Sequence, residues 1–246
     1  MEEFEKVNQA LILAAGLGTR LAPITDDRPK SLVPVNGKPI LYQQIENLRK
    51  NGITDITIIS GYKAEFLEKT VHDIFPDAKI VESVDYATTN NMYSAYLGMR
   101  AMFPDGIIKP FYMMNADVFF DASIIAALEK DKRSNLVVVD MGRYNEESMK
   151  VIEKDGRLVA ISKLITPEEA LGCSIDVYKF GSDGGKAFYD RCCNYIEVRK
   201  DLKKWSEVAL NDAFADAVFQ ASPLDGRWFE IDNHEDLAAA EALFAE

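Results

Sequence analysis

Hydrophobic and polar positions along this chain follow two rhythms, and they take turns. Residues 10–15, Ala-Leu-Ile-Leu-Ala-Ala, form an unbroken apolar run that reads as a buried strand. Residues 40–50 place Leu41, Ile45 and Leu48 on one helical face, and Asn51-Gly52 ends the helix. A second strand follows at 55–60, then a helix carrying Leu67, Val71, Ile74 and Phe75. A short strand at 79–83 leads through a loop to a helix from about residue 91 to 102. The apolar stretch 111–115 then runs out at Ala116-Asp117. Strand–helix alternation with short links predicts right-handed crossovers and a largely parallel sheet flanked by helices.

The rhythm changes after Asn135. A strand at 136–141 is followed by 149–162, whose centre, Asp155-Gly156, is a two-residue hairpin signal. A strand at 173–180, helices around 184–198 and 206–219, a strand at 227–231 and a closing helix from 234 complete the pattern. The predicted fold is therefore α/β, a mixed and mainly parallel sheet with antiparallel additions in the second half. No long linker, low-complexity tract or repeat interrupts the 246 residues, so one domain spanning 1–246 is expected.

Charge narrows the function. A net charge of −12 argues against a nucleic-acid partner, which selects a basic face. Any site that handles phosphate here must gather its cations locally. The three cysteines include no C-x-x-C pair and there are only two histidines, which fits neither a zinc nor a disulfide framework. The acidic start lacks the basic and apolar regions of a signal peptide, and no run approaches ~18 apolar residues. A cytoplasmic protein with no membrane partner is expected.

The first strand leaves through Gly16-Leu17-Gly18-Thr19-Arg20 and reaches Pro29-Lys30. Glycines let backbone N–H groups approach phosphate oxygens. The Rossmann G-x-G-x-x-G fails, because its third glycine position is Leu21, and no P-loop G-x-x-x-x-G-K-[ST] occurs. What marks the loop is its company: Arg20 and Lys30 on a tether at the carboxyl end of a parallel strand, where open α/β sheets bind ligands.

Leu-Ala-Ala followed by G-x-G-T-R-x8-P-K resembles the signature of the sugar-nucleotidyltransferase-like family, closest to its bacterial phosphocholine cytidylyltransferase branch. That family joins a nucleoside triphosphate to a phosphorylated acceptor. The resemblance implies a Rossmann-like nucleotide-diphospho-sugar transferase fold, with a nucleotide-binding core over about 1–135 and an acceptor-binding part over about 136–246. It also implies that the glycine loop wraps the triphosphate while Arg20 and Lys30 act at the reacting centre. The nucleotide set carried over is Leu13, Ala14, Ala15, Gly16, Gly18, Thr19, Arg20, Lys30, Tyr62, Asn91 and Ser94.

Two aspartates complete the implied chemistry. Asp117 ends the strand at 111–115, and Asp232 ends the strand at 227–231. Each also has a purely structural reading, Asp117 as a turn residue and Asp232 as a helix N-cap, where Asn233 is the rival. Asp121 reads as the cap of a helix beginning at Ala122. Family members place such aspartates on Mg²⁺ at the α-phosphate. Two carboxylates beside a triphosphate repel at about 4 kcal/mol per unit-charge pair at ~4 Å and an effective dielectric near 20, and a divalent cation removes that cost. No Ser–His or Cys–His pair competes, and Cys192-Cys193 falls in a helical pattern.

Residues 83–98, with Asn90-Asn91, Tyr93-Ser94 and Tyr96-Leu97, resemble the cytidylyltransferase branch beside the base. Asn and Ser side chains can read a pyrimidine edge, and Ala15, where dTTP-using members more often have glycine, leans towards CTP or UTP. The acceptor phosphate falls to Lys150 on the hairpin or to its rival Lys163. Trp205 and Tyr178 offer an aromatic wall for a quaternary ammonium. The polar stretch 143–150 departs from the aromatic set of the choline enzymes, so aminoethylphosphonate, another phosphonate, a polyol phosphate and a sugar phosphate stay open. The expectation is a Mg²⁺-dependent cytidylyltransferase whose partners are CTP and a small phosphorylated or phosphonate acceptor, with room for a homodimer. The alternatives are a sugar-1-phosphate enzyme using UTP, dTTP or GTP, and a non-catalytic nucleotide-sensing domain.

Overall fold

The computed structural model describes residues 6–142, 144 and 146–245. The first five residues of the acidic start and two positions of the polar stretch, Arg143 and Asn145, lie outside them. Strand β1 (Gln9–Leu13) leads into the glycine loop and a short hairpin, β2 (Pro34–Val35) with β3 (Lys38–Pro39). Then come α1 (Ile40–Lys50), β4 (Asp55–Ser60), α2 (Ala64–His72), β5 (Lys79–Glu82) and α3 (Asn91–Met102). The middle of the chain holds β6 (Phe111–Asn115), β7 (Val118–Phe120), α4 (Ala122–Lys130) and β8 (Leu136–Asp140). The hairpin β9 (Lys150–Lys154) and β10 (Arg157–Ser162) precedes β11 (Gly172–Phe180) and α5 (Ser182–Cys193). The last elements are α6 (Ser206–Ala213), β12 (Gln220–Pro223), β13 (Trp228–Glu230) and α7 (His234–Leu243).

The main sheet runs β10-β9-β11-β6-β1-β4-β5, with β8 on β11 and β12 on β8. β1, β4, β5 and β6 are parallel, whereas β11 is antiparallel to β6. This is the mixed, mainly parallel sheet that the alternation predicted. β1 lies between β4 and β6, so successive connections leave its carboxyl end in opposite directions. That is the switch point at which such sheets open a crevice.

β1 is buried on both faces. Leu11 and Leu13 face the core under α3, α5 and α6, while Ala10 and Ile12 face the core under α1, α2 and α4. A strand with no solvent side needs an unbroken apolar run, which residues 10–15 supply. The face expected of α1 is correct, since Leu41, Ile45 and Leu48 are fully buried. The turn of the β9–β10 hairpin also forms as expected. Asp155 and Gly156 both adopt positive φ, 52° and 73°, as a tight antiparallel turn of this kind requires.

Three assignments change. The helix expected over 206–219 stops at Ala213, and 220–223 forms β12, parallel to β8. Residues 118–120 form β7, which pairs with β13 in a separate two-stranded ladder. Both strands are only three or four residues long, too short to show a period. Asp121 does sit at the N-cap position of α4, but its side chain makes no cap bond. Its carboxylate pairs with Arg227 instead, at 3.0 Å, because β13 brings a guanidinium within reach.

Candidate active site

The glycine loop returns to the sheet at Lys30, and its path depends on Gly18. This residue has φ +64°, and a Cβ there would lie 2.7 Å from Lys30 Cβ. Any side chain at position 18 would therefore push Lys30 out of place. Thr25 Oγ1 donates to Gly18 O at 2.9 Å and pins the loop from inside.

Asp117 sits in the link between β6 and β7. Helix α1 fixes that link from below: Gln44 Nε2 donates to the carbonyls of Asn115 and Val118, both at 2.8 Å, and Asn47 Nδ2 to that of Phe120 at 2.7 Å. These are buried amides holding backbone on both sides of one carboxylate. Asp232 follows β13, where Ile231 N donates to Asp117 O at 2.9 Å and sets the two aspartates side by side. The cap of α7 is Asn233, not Asp232. Asn233 accepts from the N–H groups of Glu235 and Asp236, while Asp236 Oδ2 accepts from the N–H of Asp232 and of Asn233. With the cap supplied next door, the Asp232 carboxylate is available to the site.

The cations meet these carboxylates. Lys30 Nζ lies 2.8 Å from Asp117 Oδ2 and 2.6 Å from Asp232 Oδ1, with the lysine side chain only 13% exposed. Arg20 Nη2 lies 2.8 Å from Asp232 Oδ2. Burial works against the Lys30 ammonium, but the two aspartates outweigh it and hold its pKa above the ordinary value. Burial alone would lift Asp232, yet Lys30 and Arg20 hold it below the usual carboxylate range. Glu230 was not foreseen. Glu230 is exposed overall, but desolvation of its carboxyl among the neighbouring groups of the cleft, reinforced by Asp117 and Asp232, pushes it up to about 7. Oxygens of Asp117, Glu230 and Asp232 all lie within 4.8 Å of one another. The other oxygen of Asp117, Oδ1, is buried and has no hydrogen-bond partner. An orphaned carboxylate oxygen among hard oxygen donors fits a divalent cation such as Mg²⁺.

These groups line one cleft of ≈ 440 Å³. Of the predicted nucleotide set, Leu13, Ala14, Ala15, Gly16, Arg20, Lys30, Asn91 and Ser94 border it, and so does Trp205. Gly18 and Thr19 do not, because Gly18 acts through packing against Lys30 and Thr19 starts the turn behind it. Tyr62 is also outside, packed edge-on at 6.5 Å against Tyr86, which does border the cleft.

Two acceptor assignments are corrected. Lys150 is 2% exposed and its ammonium donates to the carbonyls of Ser148 and Glu146, so it braces the chain beside the hairpin. Lys163, its rival, borders the cleft. Tyr178 is 1% exposed and belongs to the core, its hydroxyl 2.8 Å from Asp176 Oδ1 and 3.3 Å from Glu207 Oε1. It supports the floor of the cleft without forming a wall. Strand alternation put its apolar ring on the inner face, and the sequence pattern carried no sign of that depth. Asp176, Glu207, Trp228 and Asn115 border the cleft and were missed. Only Glu230 left a signal, since residues two apart on a strand share a face and Asp232 was already chosen. Cys192 is fully buried, and burial pushes its thiol up, which agrees with a packing role.

The family model described as "Nucleotidyl transferase" matches residues 9–161. The chain belongs to the nucleotidyl transferase family. It is 48% identical over 89 residues, 36% of its length, to choline-phosphate cytidylyltransferase of Streptococcus pneumoniae, and that match covers 38% of the relative. It is 41% identical over 101 residues to 2-aminoethylphosphonate cytidylyltransferase of Lancefieldella rimae, covering 40% of this chain and 39% of the relative. The bifunctional protein GlmU of Methanococcus vannielii is 29% identical over 242 residues, 96% of this chain and 54% of that protein. In these alignments the chain spans less than two thirds of each curated relative. Among solved structures, the CTP:phosphocholine cytidylyltransferase from Streptococcus pneumoniae superimposes with a TM-score of 0.75 at 26% identity, covering 95% of this chain and 97% of that one. No helix among the described residues is long and apolar enough to cross a membrane.

Proposed function

We propose that this protein is a cytidylyltransferase that moves CMP from CTP to a small phosphorylated alcohol or phosphonate and releases pyrophosphate. The observation that carries the reading is the convergence of Arg20, Lys30, Asp117, Glu230 and Asp232 in one cleft at the carboxyl end of β1. The preference for CTP draws on the two cytidylyltransferase relatives, and on Asn91 and Ser94 at the cleft wall.

An acceptor phosphate or phosphonate oxygen attacks the α-phosphorus of the nucleotide. A new P–O bond forms, the bond to the bridging oxygen breaks, and its electron pair leaves with pyrophosphate. No covalent enzyme intermediate is needed, and catalysis comes from positioning and charge. Lys30 and Arg20 neutralise phosphate charge as it moves to the leaving group. The open wall at Gly16, where a Cβ would meet nothing within 4 Å, leaves room for phosphate against the backbone. Asp117, Asp232 and Glu230 would hold Mg²⁺, which when bound would supply Lewis-acid charge neutralisation at the phosphates. The half up to about 135 serves the nucleotide and the later half the acceptor, in a cytoplasmic enzyme.

Pyrophosphate release, measured over a grid of nucleotides and phosphorylated acceptors with and without Mg²⁺, tests this. The expected result is release with CTP and a small phosphorylated alcohol or phosphonate, dependent on Mg²⁺. Alignment of a GlmU protein along 96% of the chain favours a second reading, a sugar 1-phosphate acceptor. Release confined to sugar 1-phosphates would select it. CTP binding without release from any combination would leave only a nucleotide sensor.

A further inference from the structure

We infer that the floor of the cleft holds an ammonium group bearing N–H hydrogens, so that the acceptor is an aminoalkyl phosphate or phosphonate gripped by Asp176 and Glu207. This rests on the nucleotidyl-transfer reading above and deepens it.

Glu207 is 3% exposed and Asp176 is half-buried, and both border the cleft. Their partners are neutral. Asp176 accepts from Asn115 Nδ2 at 2.8 Å, from the Tyr178 hydroxyl at 2.8 Å and from Ser174 Oγ at 3.4 Å. Glu207 accepts from Ser206 Oγ at 3.0 Å, from the Tyr178 hydroxyl at 3.3 Å, and from the Asn91 side chain. No ion pair joins either carboxylate to a lysine or arginine among the described residues. Two anions so placed, with a single phenol hydrogen between them, are costly to bury unless a cation completes the set. Burial accordingly lifts both carboxyls, with the charge of Glu207 adding at Asp176.

Two further observations point to a ligand. Asp176 holds φ +58°, where a non-glycine residue costs about 1–2 kcal/mol, at the point where pairing of β11 with β8 shifts register between Ser174 and Tyr178. Strain of this kind persists where a site needs a side chain off the regular strand face. The second is Ser31, 2% exposed and bordering the same cleft next to Lys30, whose Oγ has no hydrogen-bond partner. An orphan hydroxyl beside Lys30 suits a phosphate or phosphonate, and the two carboxylates suit a cation. Together they describe a zwitterion.

The aromatic groups select among cations. A trimethylammonium group donates no hydrogen bond and relies on open ring faces. The Trp205 ring already carries the Lys163 ammonium at 4.9 Å, so that face is taken. Carboxylate oxygens instead reward a donor such as –NH₃⁺. A neutral sugar or polyol would satisfy hydrogen bonds but leave both charges uncompensated.

The test compares O-phosphoethanolamine and 2-aminoethylphosphonate with phosphocholine, sn-glycerol 3-phosphate and propyl phosphate, the isostere with a methyl in place of the ammonium, by pyrophosphate release with CTP and Mg²⁺. The expected kcat/KM is at least about tenfold higher for the primary amines, the size of one charged hydrogen bond. Asp176→Asn and Glu207→Gln should each raise KM for the primary amine by about tenfold or more, and should change KM for propyl phosphate much less, since it carries no ammonium. Either variant alone suffices if the other does not fold, with the thermal midpoint as control. Equal use of propyl or glycerol phosphate, or a preference for phosphocholine, overturns the ammonium assignment and leaves CMP transfer standing. Release only with sugar 1-phosphates, or with nothing, overturns both.

Discussion

Replacing Lys30 by methionine removes a buried cation that touches both Asp117 and Asp232. A unit-charge contact is worth about 4 kcal/mol at ~4 Å and an effective dielectric near 20, and both contacts here are shorter, before the cost of burying the charges is subtracted. Removing one partner of a buried pair typically costs about 3–5 kcal/mol, because the other charge stays behind without compensation. Here the aspartate side chains are 24% and 27% exposed, so water takes up part of the loss. The expected destabilisation is about 2–3 kcal/mol in metal-free buffer, or a thermal midpoint lower by roughly 4–12 °C for a chain of this size. Urea unfolding with a chelator present measures it. Adding Asp117→Asn to Lys30→Met should recover stability, since it removes one of the stranded charges. Added Mg²⁺ should stabilise Lys30→Met more than the parent protein. A single variant within about 0.5 kcal/mol of the parent, or a double variant no more stable than the single one, would refute the argument.

Asp117→Ala should lower turnover by about 10²–10³ or more while far-ultraviolet circular dichroism stays unchanged; loss of the fold instead would make this aspartate structural. Asn233→Ala removes the side-chain cap of α7 and should cost about 1 kcal/mol in unfolding free energy, with a fall in turnover because it loosens the turn in which Asp236 Oδ2 holds the Asp232 N–H. Lys150→Met should lower the thermal midpoint and leave the acceptor KM unchanged, whereas Lys163→Met should do the reverse. Glu230 carries a raised pKa in the folded state, so the folded protein binds its proton more tightly than the unfolded chain does. Stability of the metal-free protein should therefore fall as pH rises from about 4.5 to about 7, and Glu230→Gln should flatten that slope. A slope unchanged in the variant would show that another group titrates there.

How far the site could be read from the chain depended on how local each signal was. Arg20 and Lys30 were legible because the loop that carries them is contiguous, and Gly18 marks the close approach that brings Lys30 back. Asp117 and Asp232 were found at strand ends, although 115 residues separate them. Lys150 and Tyr178 were misjudged for one reason. Periodicity tells which face of a strand a side chain takes, but not whether that face meets a cleft or a core. Asp176 and Glu207 were invisible, since a single acidic residue in a strand or a helix start has no pattern of its own. Their pairing exists only because Tyr178 and a register shift in β11 bring them together.

By itself the amino-acid sequence determined the layered α/β plan, the glycine loop with its two cations, and the buried course of β1. These follow from hydrophobic spacing, from glycine's access to positive φ, and from residues adjacent in the chain. Tertiary structure alone decided that β7 and β13 pair, which sets Asp117, Glu230 and Asp232 within 4.8 Å of one another and puts Lys30 against two of them. It also decided which aromatic and basic residues reach the cleft. Contacts between residues more than a hundred positions apart depend on how sheets and helices stack, and no local pattern along the chain encodes that distance.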